Sequence, residues 1–118
     1  MNMFRRAMPT LYPLEDVSAE IDLAHAHNHL LQAALDLGVP GLFAYLAIWI
    51  MTAWQLGHTW LTNSSPRLRF LALGISASLL AHFIFGISDA IALGAKPGFL
   101  LWMLFGLAAS LPQTQTTA

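Results

Sequence analysis

The chain has 118 residues, of which 57% are hydrophobic and only 9% are charged, and it carries a net charge of −1 and no cysteine. Soluble domains have about 25% charged residues, so this composition predicts a membrane protein in contact with membrane lipids. With only five lysines and arginines it excludes the basic surface of a nucleic-acid-binding protein, and without cysteine it excludes disulfides and thiolate metal sites.

The N-terminal residues 1–16 contain Pro9 and Pro13 and predict an irregular segment. Residues 17–38 then show a helical pattern, which ends at Gly38. On a helical wheel, one face of this segment is apolar and the other is polar. The apolar face has Leu23, Leu30, Leu31, Ala34 and Leu37, and the polar face has Asp22, His25, Asn28, His29, Gln32 and Asp36. A helix of about 20 residues with a polar face predicts an amphipathic helix at the membrane surface.

Three apolar runs follow the amphipathic helix. Residues 39–61 contain no charged side chain and would extend about 34 Å as a helix, enough to cross a hydrocarbon core of about 30 Å. A second run covers residues 70–87, and a shorter third run covers residues 99–111. The polar residues 113–118 predict a disordered tail. The predicted fold is an all-α membrane protein, with an amphipathic helix on the outer face followed by about three transmembrane helices.

The charge distribution predicts the orientation of these helices. Arg67 and Arg69 lie in the short turn between the first two spans, and positively charged turns favour the cytoplasmic side. This orientation places the histidine-rich helix and the broken segment from Asp89 to Lys96 together on the outer side. The sequence therefore predicts a multi-span membrane protein whose histidines face the exterior.

The closely spaced histidines allow more than one interpretation. His25 and His29 are four residues apart and would share a helix face, where they could bind zinc or copper with Asp22 as a carboxylate ligand. No further ligand lies nearby in the sequence, and the same face is typical of solvated polar residues. The sequence favours the solvated face, so we expect no metal site. Substitution of His25 or His29 alone should then leave substantial activity.

His27 differs from these two because the wheel places it in the middle of the apolar face. A buried imidazole needs hydrogen-bond partners, and at a membrane boundary it is also a candidate functional residue.

His82 lies within the second span, where a helix-packing hydrogen bond is the simpler interpretation. Asp89 and Lys96 flank the broken segment after that span. They would form either a salt bridge or the rim of a phosphate-binding pocket.

The stretch HNHLLQAALDLGVPGLFAYLAI resembles the signature motif of the O-antigen ligase and polymerase family. The resemblance rests on the pair His27 and Asn28, on Gln32, on the glycine stop at Gly38 with the Pro-Gly pair after it, and on the apolar span. Asp36 stands where the family usually has glutamate. The later stretch HFIFGISDAIALGAKPGFLLWMLFGL also resembles the C-terminal spans of some members, so the resemblance covers most of the chain.

Members of this family are multi-span proteins of the bacterial inner membrane with a GT-C-type fold. The resemblance implies transfer of a glycan from an undecaprenyl-diphosphate carrier to a hydroxyl of lipid A-core or another acceptor. The reaction would occur at the periplasmic face, with inversion and without a metal or cofactor. The resemblance implies His27 and Asn28 as catalytic residues, with His27 as the base for the attacking hydroxyl. Gln32, Asp89 and Lys96 are the expected substrate-binding residues.

Family members bind the diphosphate with arginines from earlier spans and an outer loop, for which this chain has no matching segment. Residues 17–112 are therefore expected to be the C-terminal part of such a domain and to be inactive without the N-terminal part. Two other functions stay open. One is a small-solute transporter, since some relatives are labelled bicarbonate transporters and His82 with Asp89 would mark a polar pathway. The other is a non-catalytic membrane subunit. Few polar residues fall at mid-span, which favours the ligase.

Overall fold

The computed structural model of the chain describes residues 27–88 and 96–111. Within these ranges the regular secondary structure is entirely helical and consists of α1 (His29–Thr62), α2 (Pro66–Ser88) and α3 (Lys96–Ser110). The prediction of an all-α fold is confirmed for this part of the chain. The irregular segment 1–16 and the disordered tail 113–118, both predicted from the sequence, lie outside the described residues.

α1 begins at His29 because Asn28 caps it. The side-chain oxygen of Asn28 accepts hydrogen bonds from the backbone N–H groups two and three residues later, both at 3.0 Å, and its own backbone is extended, with φ −156°. His27 before it has a left-handed backbone, with φ 49°. The prediction of one uninterrupted helix over residues 17–38 is therefore wrong, since a residue that caps a helix in this way does not lie inside one. Residues 17–26 lie outside the described part of the chain.

A sharp break interrupts α1 at Gly38. This residue has φ 72° and ψ 180°, a conformation that is essentially confined to glycine. Pro40 follows and has no N–H group with which to continue the hydrogen-bond ladder. The predicted helix stop at Gly38 is confirmed as a break, after which the helix resumes and continues to Thr62. Residues 29–37 are called the short arm below, and residues 39–62 the long arm.

The break folds the short arm back against the long arm. His29 Nδ1 lies 3.0 Å from the hydroxyl oxygen of Tyr45, which is 16 residues later in the chain. In an uninterrupted helix these two residues would be about 24 Å apart along the axis. The two arms therefore form a helical hairpin, in which the first turn of the short arm packs beside the long arm.

Both arms of α1 pack with α2 and α3 around a small apolar core. Its buried members are Ala33, Tyr45, Leu56, Ala72, Ile75, Leu79, Leu101, Phe105, Ala108 and Leu111. The Trp49 ring contacts Phe105 with centroids 5.1 Å apart, and further along the same helix Gln55 Nε2 donates to the carbonyl oxygen of Ala108 at 2.9 Å. Because both contacts advance in the same direction along the two helices, α3 runs parallel to the long arm.

Two helices, α1 and α2, are long and apolar enough to cross a membrane, judged by length and composition. Their most apolar windows are only 6% and 22% buried, whereas the core helix of a soluble protein would be mostly buried. Large apolar side chains cover their outward surface. Those that are at least 66% exposed are Phe43, Ile50, Met51, Trp54, Leu61 and Phe70.

The third predicted span corresponds to α3, whose 15 residues extend about 22 Å, less than a hydrocarbon core of about 30 Å.

The two ends of α2 differ in chemistry. Arg67 and Arg69 lie in its first turn, and the Arg69 guanidinium lies over the Trp60 ring at 4.9 Å from the centroid. At the other end, Asn28 Nδ2 donates to the carbonyl oxygen of Ile87 at 3.2 Å. About 20 residues of helix separate the arginines from Ile87, which corresponds to about 30 Å. The start of the hairpin and the arginine-containing turn are therefore separated by about the thickness of a hydrocarbon core.

Candidate functional site

His27 lies immediately before the short arm, where it is exposed and not helical. The prediction that it is buried on the apolar face of a helix is wrong, because the wheel assumed a helix that passes through this residue. Its left-handed backbone is uncommon in residues other than glycine. Conformations of this kind concentrate at functional sites, where the surrounding structure holds them. His27 therefore stays a candidate site residue, for a different physical reason from the predicted one.

Asn28 holds the backbone next to His27 with both ends of its side-chain amide. The oxygen starts the short arm by capping its first N–H groups, and the nitrogen donates to Ile87 at the end of α2. The entrance to the short arm is thus attached to α2. The predicted catalytic role of Asn28 stays a prediction, and the geometry adds a positional role to it.

His29 is buried, with 3% of its surface exposed. The prediction that it lies on a solvated polar face is wrong, because the hairpin turns the first residue of the short arm toward the long arm and α2. The expectation that substitution of His29 alone leaves substantial activity depended on that face and therefore loses its basis. Its ring packs edge-to-face against Tyr45, Trp49 and Phe83, with centroids 5.8, 6.0 and 5.1 Å apart. These four side chains are called the aromatic cluster below. The hydrogen bond between His29 and Tyr45 lies inside it.

The buried face of the short arm consists of His29, Gln32 and Ala33. These positions follow the spacing of three and four residues that defines one helix face. The predicted apolar face is wrong for this part of the helix, since Leu31 and Leu37 are 49% and 50% exposed. His29 and Gln32 face the bundle, whereas Leu31, Leu35 and Leu37 face outward. This is the distribution expected of a helix surrounded by hydrocarbon, where polar groups turn toward the protein interior.

Gln32, a predicted substrate-binding residue, lies one turn after His29 on the same buried face. It is 2% exposed, and its Nε2 donates to the Asp36 carboxylate at 2.8 Å. The structure thus brings Gln32 close to the aromatic cluster along the short arm. Its role in substrate binding stays a prediction.

The other predicted polar residues are placed differently. His82 is partly buried in α2, directly before Phe83 of the aromatic cluster. Asp89 lies outside the described residues. Lys96 is the first residue of α3, but its side chain lies outside the described part of the structure. The predicted contact of Asp89 and Lys96 with a phosphate, or with each other, stays a prediction.

The alternative metal site depended on Asp22 and His25, which lie outside the described residues. Its third member, His29, uses Nδ1 for the contact with Tyr45. Among residues 27–88 and 96–111, no group of three or more histidine, cysteine, aspartate or glutamate side chains could hold a metal ion. The described part of the chain thus offers the metal interpretation no complete set of ligands.

An apolar groove lies between the long arm and α2, next to the aromatic cluster. Its volume is about 360 Å³, and it is lined by Trp49, Ala53, Leu56, Gly57, Ser76, Leu79, Leu80 and Phe83. Trp49 and Phe83 belong to both the groove and the aromatic cluster. The volume lies in the range of pockets that bind small molecules, about 300–1,000 Å³. The groove therefore brings a space for an apolar ligand close to the start of the short arm.

Sequence reasoning missed the partners of His29. Tyr45 and Phe83 lie within the two stretches that resemble the family, but no role was predicted for them or for Trp49. All three lie too far from His29 in sequence for a helical wheel to place them beside it. One signal was available: a glycine and a proline at positions 38 and 40 permit a reversal as well as a stop. A reversal would have placed residues before and after Gly38 in contact. A helical wheel was applied to the residues before the break alone, so it could not show contacts between the two arms.

Compared with protein-family models, with curated proteins and with solved structures, the chain matches none. The resemblance to O-antigen ligases therefore depends on the motif residues themselves.

Proposed function

We propose that this chain forms the C-terminal part of an O-antigen ligase-like membrane enzyme. The observation that carries the proposal is that the motif residues coincide with one structural unit. His27 stands before the hairpin, Asn28 caps the short arm and Gly38 breaks the helix at its end. The number of residues between Asn28 and Gly38 in the motif is thus the length of the short arm. Because the start of the short arm is fixed by its cap, the His27 side chain directly before it is held at a defined position. Catalysis requires such a defined position of the reacting group.

The reaction assigned to this unit is a single displacement at a sugar carbon. The acceptor hydroxyl attacks the anomeric carbon of the carrier-linked glycan while the bond from that carbon to the diphosphate oxygen breaks. His27 accepts the hydroxyl proton, since an imidazole within hydrogen-bond reach of the nucleophile is a suitable general base. Undecaprenyl diphosphate leaves, and one displacement inverts the configuration. The cations that stabilise this leaving group would come from the N-terminal part of the enzyme, and Lys96 would add a point charge.

The carrier also needs a place for its isoprenoid tail. The groove between the long arm and α2 is lined almost entirely by apolar side chains, and the two aromatic residues at one side of it contact His29. A tail in this groove would bring the diphosphate end of the carrier toward the hairpin. We assign the groove to the part of the tail next to the diphosphate for this reason, since a space of about 360 Å³ is too small for a whole undecaprenyl chain.

The proposed topology places the long arm and α2 across the bacterial inner membrane. The start of the hairpin, with His27, would face the periplasm, and the Arg67–Arg69 end of α2 would face the cytoplasm. Alkaline phosphatase and green fluorescent protein fusions after Ser64 and after Gly94 test this arrangement. We expect only fluorescence at Ser64 and only phosphatase activity at Gly94. The same reporter active at both positions would contradict the two-span arrangement and the location of the site.

A transfer assay tests the function. Membranes that contain the protein in its complete reading frame are supplied with radiolabelled glycan on undecaprenyl diphosphate and with lipid A-core. We expect the label to appear on the acceptor with release of undecaprenyl diphosphate, and a chelator should leave the rate unchanged. Membranes without the protein serve as the control. If all label stays on the carrier with every hydroxyl acceptor offered, the proposal is wrong.

A further inference from the structure

The His29 ring has polar and close contacts that a residue needed only for packing would not require. Its Nδ1 faces the Tyr45 hydroxyl at 3.0 Å, and its Nε2 is buried and has no hydrogen-bond partner among residues 27–88 and 96–111. A hydrophobic residue would fill the same space without leaving a buried nitrogen unsatisfied, which opposes folding. The structure thus keeps an imidazole at a position where a phenyl ring would be favoured by packing alone.

Gly86 lets α2 approach this ring with its backbone. A β-carbon at position 86 would lie 2.9 Å from His29 Cγ, 3.0 Å from Cδ2 and 3.3 Å from Cβ. The Cβ and Cγ atoms are close to the His29 backbone, so an added methyl group would require the ring or the short arm itself to shift. The distance between the short arm and α2 is therefore set by the absence of a side chain at Gly86.

A second contact joins the start of the short arm to the end of α2. Asn28 Nδ2 donates to the Ile87 carbonyl oxygen at 3.2 Å, directly beside the contact of His29 with Gly86. Two consecutive residues of the hairpin thus contact two consecutive residues of α2. His27 precedes them with its left-handed backbone. Its position is fixed on one side by this pair of contacts.

We propose that His29 is a positioning residue for His27. The Tyr45 hydroxyl and the Gly86 backbone hold the His29 ring, the ring holds the start of the short arm, and the start of the short arm sets the place of the His27 imidazole. The role in transfer rests on the proposed function, whereas the positioning itself can be observed without activity. The competing explanation is that His29 only fills the bundle.

The kinetic test compares kcat and KM for three variants in the complete protein. His29→Phe keeps an aromatic ring and removes both nitrogens, Tyr45→Phe removes only the hydroxyl, and Gly86→Ala displaces the ring. Gly74→Ala is the matched control in the same helix. Apart from its chain neighbours and its own helix backbone, no atom of the described residues lies within 4 Å of an added β-carbon there. We expect kcat to fall about tenfold or more in the three variants with KM within about twofold, since small misplacements of a reacting group reduce turnover strongly. The control should behave as wild type.

A second measurement observes His27 directly. In the protein labelled with nitrogen-15 histidine, in detergent micelles, each of the five histidines is assigned by single substitution. We expect one set of His27 ring signals in the wild type and in Gly74→Ala, and shifted or multiple sets in Tyr45→Phe and Gly86→Ala. Unchanged His27 signals in both variants would overturn the positioning role.

The outcomes separate the two proposals. Absence of transfer by the wild-type protein would overturn the proposed function, and the histidine signals would still decide whether His29 holds His27. Transfer by the wild type with unchanged kcat in Tyr45→Phe and Gly86→Ala would overturn the role of His29 alone. Because Tyr45→Phe removes a single oxygen atom, the test does not depend on His29→Phe being folded.

Discussion

Replacing Gly41 with alanine should open the hairpin. An added β-carbon at position 41 would overlap the Leu37 β-carbon, which cannot move without its backbone. The arms can remain helical only if they separate at the break, so that the hydrogen bond between His29 and Tyr45 is lost. We expect the melting temperature in detergent to fall by about 5 °C or more, the shift produced by overpacking of about 1–3 kcal/mol in a domain of this size. Gly38→Ala should act in the same direction, since φ 72° with ψ 180° disfavours every residue with a β-carbon.

Spin labels report the opening itself. The chain contains no cysteine, so cysteines introduced at Leu31 and Ala47, both exposed, carry the only labels. Their separation in sequence equals that of His29 and Tyr45. We expect a short distance in the folded hairpin and a broad distribution extending to about 24 Å or beyond, the length of 16 helical residues, in Gly41→Ala.

Gly74→Ala is the control for this experiment as well. Beyond its own helix backbone and chain neighbours, its added methyl group meets no described atom within 4 Å, and alanine is favoured over glycine inside a helix by about 0.5–1 kcal/mol. The melting temperature of this variant should stay the same or rise, with no change in the distance between the labels. A Gly41→Ala variant that melts like the wild type and keeps the short distance would show that the hairpin does not depend on close approach at Gly41.

The helical class of the described residues could be predicted because it depends on local features. The uncharged run 39–61 and the second run 70–87 correspond to the long arm and α2, and the glycine at position 38 is where the helix breaks. Each of these features acts within a few residues. Apolar composition and glycine conformation are therefore visible in the sequence without knowledge of contacts.

The candidate site could be predicted only in part, because its geometry depends on contacts between distant residues. The motif pointed to His27 and Asn28, and both lie at the start of the hairpin. The burial of His29 could not be predicted, since it requires the reversal at Gly38 and the approach of Gly86 from another helix. The wheel also treated Asn28 as an ordinary polar residue, although an asparagine starts a helix as readily as it lies on one. Because the helix begins after Asn28 and folds back at Gly38, its buried face carries His29 and Gln32 and not the predicted leucines.

Substitution of His27 by alanine should abolish transfer in the complete protein. If the imidazole accepts the proton of the attacking hydroxyl, its loss should reduce kcat by about 10²–10⁴-fold, the usual contribution of a general base. His58→Ala is the matched control, because this histidine is exposed on the long arm near the arginine-containing end. The control should keep its rate within about twofold of wild type, since surface substitutions away from a site have small effects. The measurement is the initial rate of label transfer at saturating carrier.

A second substitution separates the chemistry of His27 from its backbone. Alanine removes the imidazole but also places an unfavourable residue at φ 49°, a left-handed conformation that costs about 1–2 kcal/mol. Asparagine tolerates this conformation better than most residues and has no basic nitrogen. His27→Asn should therefore keep the melting temperature of the wild type and still lose transfer. An active His27→Asn variant would mean that the position needs a left-handed residue and not a base, and the general-base role of His27 would have to be abandoned.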